Sequence, residues 1–64
     1  MLAEDRLNAI VSMVQQTGSV TVSELAEALG VTASTIRRDL QTLDRAHRIA
    51  KVHGGATSLE RAHV

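Results

Sequence analysis

The chain has 64 residues, 44% of them apolar, with no Phe, Tyr, Trp, Pro or Cys and a formal net charge of zero. That length holds one small domain, which excludes doubly wound nucleotide-binding folds, hydrolase sheets and two-domain enzymes; without cysteine there is neither a disulfide framework nor a thiolate metal site. No apolar run reaches the ~20 residues of a membrane span, and the acidic start Met1-Leu2-Ala3-Glu4-Asp5 is unlike a secretory signal, so a cytoplasmic protein standing on its packed core is expected.

From about Glu4 to Gln16, Leu7, Ile10, Val11 and Val14 recur at i, i+3, i+4 and i+7, the stripe of an amphipathic helix, and Gly18 is its expected stop. Ser19-Val20-Thr21-Val22 is β-branched and suits one short strand. Thr21 with Glu24 three residues on predicts a capping box, so a second helix starts near Val22 and ends at Gly30, with Val22, Leu25, Ala26 and Leu29 on its buried side. Thr32 is the expected N-cap of a third helix with Ile36, Leu40 and Leu43 as its stripe, fraying over Asp44 to His47. The period then changes: Ile49 to Val52, a His53-Gly54-Gly55 turn and Ala56 to Ser58 predict a β-hairpin. Leu59 to Val64 shows no clear pattern.

Two short helices joined by a tight turn, with small Ala26 at their closest approach and Gly30 able to take positive φ, make a helix-turn-helix, which sets its second helix in a DNA major groove. At about 100° per residue from Ile36, the side of that helix away from the core holds Ser34, Gln41, Arg45 and Arg38 between about 140° and 200°, flanked by Arg37 and Thr35. The acids Asp39 and Asp44 fall outside this arc, at about 300° and 80°. Hydroxyl, amide and guanidinium groups bond base edges and phosphates, Arg being matched to guanine O6 and N7. Charge sorts the same way. Residues 1–36 carry Glu4, Asp5, Glu24 and Glu27 against Arg6, a net −3; residues 37–53 carry Arg37, Arg38, Arg45, Arg48 and Lys51 against Asp39 and Asp44, a net +3. A hairpin after a helix-turn-helix is a wing, and Lys51 and His53 near its tip, with Arg48 at its base, suit phosphate contact. The expected class is mainly α: a three-helix winged helix-turn-helix with a small C-terminal β-hairpin.

Ser19 to Ala26, Leu29-Gly30-Val31-Thr32, Thr35-Ile36-Arg37-Arg38-Asp39-Leu40 and Val52-His53-Gly54-Gly55-Ala56 together resemble the DNA-binding domain of the DeoR family of bacterial transcription regulators, over residues 6 to about 56. The resemblance implies a repressor of sugar-metabolism genes, with Thr35, Arg37 and Arg38 in the recognition helix; Asp39, part of the same signature, is expected to orient a neighbouring arginine or cap a nearby donor. Two positions depart from the family: His47 stands where Gly is common, and Lys51 where Arg is common. Lys keeps the charge and loses the bidentate fork. Family members also carry a C-terminal domain that binds a phosphorylated sugar. Residues 1–58 are accordingly expected to form the DNA-binding domain, and 59–64 to begin the linker to an effector domain that 64 residues cannot contain.

The expected DNA-contacting set is Thr32, Ser34, Thr35, Arg37, Arg38, Gln41, Lys51 and His53, its partner double-stranded operator DNA, with no membrane and no cofactor. The full-length protein is expected to be a homo-oligomer and the isolated domain a monomer off DNA. A protein–protein docking module using the same basic face is the alternative. An enzyme is not expected: His53-Gly54-Gly55 has no Gly-x-Ser-x-Gly nucleophile to serve, and His47, His53 and His63 lack metal-ligand spacing.

Overall fold

Three amphipathic segments fold as their periodicity predicts. In the computed structural model, which describes residues 1–62, they are α1 (Ala3–Thr17), α2 (Val22–Leu29) and α3 (Ala33–Arg45). His63 and the end of the expected linker lie outside the described residues. Ile10, Val14, Leu25, Ile36, Leu40, Leu43 and Ile49 form the fully buried centre, each with at most 1% of its surface exposed. Leu7, Ala26, Leu29 and Val31 pack around it, half-buried. With no disulfide to assist, this aliphatic centre carries the domain, each buried Leu or Ile contributing about 1.5–3 kcal/mol. No described helix is long and apolar enough to cross a membrane.

The helix ends follow from local hydrogen bonding. The Thr21 hydroxyl accepts from the Glu24 N–H at 3.1 Å while the Glu24 carboxylate accepts from the Thr21 N–H at 3.0 Å, the reciprocal capping box. The Thr21 backbone N–H, and to a lesser extent its hydroxyl, hold the Glu24 carboxyl below its ordinary pKa. The unfolded chain therefore binds this proton more readily. The Glu24 contribution is fully present above the ordinary glutamate range and is lost as pH falls through the lowered folded value. Glu24→Gln keeps the acceptor without the titration. Its melting temperature is expected to lie below that of the natural domain at neutral pH and to converge with it as pH falls through the lowered folded value. Thermal melts across that range, which give parallel curves if the carboxylate is not engaged, test it.

Gly30 ends α2 with a left-handed φ of 67°, and the Gly30 and Val31 N–H groups both donate to the Ala26 carbonyl, closing the turn into α3. Thr32 caps α3 by accepting from the Thr35 N–H at 3.2 Å. The other end of α3 does not fray as expected. Arg48 N–H donates to the Leu43 carbonyl and His47 N–H to that of Asp44, both at 3.0 Å, and His47 takes φ 57°. This is a Schellman closure, with His47 at the left-handed position that glycine usually fills.

The sheet differs from the expected lone hairpin. β1 (Ser19–Thr21), β2 (Ala50–Val52) and β3 (Gly55–Thr57) form one antiparallel sheet in the order β1-β3-β2. Val20 and Lys51 both face Ala56 in register, from either side. The hairpin loop is only His53-Gly54, with φ 79° at Gly54; Gly55, read from sequence as turn, is a buried strand residue. Ser58, read as strand, instead leaves the sheet and donates its N–H to the Gly18 carbonyl at 3.0 Å. One helical turn, α4 (Leu59–Ala62), follows where the sequence showed no pattern, and the Arg61 side chain lies over Gly18.

Candidate nucleic-acid interface

Capping at Thr32 and burial of Ile36, Leu40 and Leu43 fix which side of α3 meets solvent. Ser34, Arg37, Arg38, Gln41 and Arg45 are exposed, as their helical angles predict, and neither the hairpin nor α1 covers them. Thr35 is half-buried. The Thr32 and Thr35 hydroxyls lie 3.0 Å apart and bond each other, so Thr32 serves first as the cap. No ion pair engages Arg37 or Arg38 among the described residues.

Asp39, between these arginines and the core, points the other way. It is the one buried charged residue among those described, and both of its carboxylate oxygens accept from the Arg6 guanidinium of α1, Oδ1 from Nη2 at 3.0 Å and Oδ2 from Nε. Bonding to Asp39 raises the pKa of Arg6 above its already high value. The arginine that Asp39 orients thus lies 33 residues away in sequence. This pairing also sharpens the charge separation. With Arg6 and Asp39 neutralising each other, residues 37–53 present +4 and residues 1–36 present −4.

Lys51 and His53 are exposed on the wing, together with Val52 at 43%. Two backbone bonds place the wing. The Lys51 N–H donates to the Asp44 carboxylate at 3.0 Å, tying β2 to the last turns of α3, and the Val22 N–H donates to the Gly54 carbonyl at 2.9 Å, tying the loop to the start of α2. Arg48, expected at the wing base, sends its guanidinium to the Asn8 side chain of α1 at 3.4 Å. It borders a groove of about 340 Å³ with Gln15 and Leu59. Of the groups that build this surface, sequence reading missed Arg6, Asp44, Gly55 and the Val22 N–H. An isolated cation in an acidic first turn was the only available sign of Arg6. Among the described residues no three His, Asp or Glu side chains gather as a metal site.

A helix-turn-helix whose second helix stands free beside a tethered two-stranded ribbon defines a winged helix. The DeoR-like helix-turn-helix domain matches residues 6–62, and the chain belongs to that family. It is 43% identical over 60 residues to the uncharacterized HTH-type transcriptional regulator YulB of Bacillus subtilis (strain 168), covering 94% of this chain and 23% of that protein. It is equally similar to the HTH-type transcriptional regulator GolR of Listeria innocua, at 43% over 60 residues, covering 94% of this chain and 24% of that one. With a lactose phosphotransferase system repressor of Staphylococcus epidermidis it shares 44% over 54 residues, 84% of this chain and 22% of the repressor. The chain thus spans under a quarter of the length of these relatives. No solved structure matches it.

Proposed function

We propose that this domain binds operator DNA sequence-specifically on behalf of a bacterial transcription regulator. The exposed Ser34, Arg37, Arg38 and Gln41 on α3 carry that reading. They combine base-edge donors and acceptors with positive charge, on a helix whose aliphatic side is fully committed to the core. Thr35 supports the start of the same face, while Lys51 and His53 suit backbone phosphates flanking the groove. Thr32 contributes by fixing the first turn of α3. On this reading the domain works in the bacterial cytoplasm, where operator DNA lies. The names of the lactose-system repressors suggest a repressor of sugar-metabolism genes. Response to a phosphorylated sugar, and assembly into a homo-oligomer, then belong to other parts of the regulator.

Selection of duplexes from a random pool, followed by titration of the selected sequence at several salt concentrations, tests this. A shared consensus should emerge. Affinity should fall with salt at about 0.9 unit of log–log slope per neutralised phosphate, three or more phosphates being engaged by α3 and the wing together. A pool that yields no consensus, or binding insensitive to salt, rules the reading out.

A further inference from the structure

The two acids of α3 sit on either side of its buried stripe, Asp39 about 60° to one side of Ile36 and Asp44 about 80° to the other. Each is fastened to a different element. Asp39 receives the Arg6 guanidinium of α1 through both oxygens, and Asp44 receives the Lys51 N–H of β2 at 3.0 Å. From this we infer that Asp39 and Asp44 are positioning residues for sequence readout: paired lateral ties that set the rotation of α3 about its own axis. The inference rests on the DNA-binding reading of that helix.

Aliphatic packing alone does not set this angle sharply. Ile36, Leu40 and Leu43 gain from burial, which is non-directional. A bidentate carboxylate–guanidinium pair and a carboxylate–amide bond are directional, and they pull from opposite sides. The precision matters because side-chain tips stand roughly 5–6 Å or more from the helix axis, so a 20° rotation displaces them by about 2 Å. That is enough to break a bond whose heavy atoms must lie within about 2.7–3.2 Å. Arg38 adjoins Asp39, and Gln41 lies between the two acids, so an error in rotation reaches base-reading groups directly. Phosphate attraction tolerates such an error, since it is long-ranged and carries no sequence information.

The test uses the full 64-residue chain, the duplex selected by the natural domain, and a random duplex of equal length. The variants are Asp44→Ala, Asp44→Asn, and the double variant Arg6→Met with Asp39→Leu, which leaves net charge unchanged and replaces the ion pair by apolar groups. Replacing buried ion pairs in this way often leaves folds as stable as before. Helical content by circular dichroism shows that each variant folds. If the double variant fails to fold, the Asp44 pair decides, because Asn keeps the acceptor that Ala removes while both change the charge equally. The expected result is that random-duplex affinity stays within about twofold of the natural domain. The preference for the selected duplex should fall about tenfold or more in the double variant and in Asp44→Ala, and be retained in Asp44→Asn. Undiminished preference in folded Asp44→Ala overturns the inference, as does equal loss in Asp44→Asn. A natural domain that selects no duplex overturns the DNA-binding reading itself, before any variant is made.

Discussion

Gly55→Ala is expected to lower stability by about 3 kcal/mol, the upper part of the range for forcing extra atoms into a packed site. At about 4–8 °C per kcal/mol for a domain of this size, the melting temperature drops by about 12–24 °C. Gly55 has an ordinary strand φ, so backbone conformation is not the reason. A Cβ there would stand 2.3 Å from the Val20 carbonyl oxygen and 3.0 Å from the Thr21 Cα. Both obstructing atoms are backbone of β1, so no side chain can swing aside. The contrast lies one residue earlier. Gly54 has open space around its Cα but φ 79°, and asparagine accepts such a φ better than other side chains. Gly54→Asn should therefore be mild and Gly55→Asn severe. Thermal unfolding followed by circular dichroism decides; equal melting temperatures for the two Asn variants would show that β1 and β3 do not approach this closely.

Arg38→Ala is expected to weaken binding to the selected duplex by about 5- to 150-fold, the 1–3 kcal/mol of one good bidentate base contact, with little change in melting temperature. The two effects separate because Arg38 is exposed and no ion pair within the described chain holds it. Arg38→Lys keeps the charge and loses the fork, so it should recover random-duplex binding while discrimination stays low. Lys51→Ala should instead weaken all duplexes alike and reduce the salt slope by about one unit. Titrations of labelled selected and random duplexes at two salt concentrations resolve these patterns. If Arg38→Ala and Lys51→Ala behave identically, bases are not being read at Arg38.

The first three helices were legible because their determinants are local. Thr21 with Glu24, Thr32 before Ala33, and Gly30 are each recognisable from residues no more than three positions away, and the capped ends then fix which apolar residues turn inward. The exposed side of α3 followed from the same angular arithmetic. What stayed hidden was set by partners far away in the chain. Ser19 meets Thr57, and Arg6 meets Asp39, across separations that no periodic pattern encodes. Strands of three residues are too short to show alternation, so β1 could be suspected but not assigned an edge to join. The second glycine of His53-Gly54-Gly55 was misread for a related reason. In sequence a glycine pair signals a turn; only the approach of β1 shows that one serves φ and the other clearance. At His47 a fraying helix end was expected, and the left-handed backbone that the structure shows, at a position where the family commonly has glycine, was not foreseen.

The tether between the Val22 N–H and the Gly54 carbonyl fastens the loop to the same short helix that leads into α3. Many extended appendages on DNA-binding proteins are floppy until they meet the duplex and lose entropy as they settle. Here that loss is already incurred during folding. On the proposed DNA-binding reading, the wing and α3 are presented to a duplex at a spacing set during folding, so groove width becomes part of what is read.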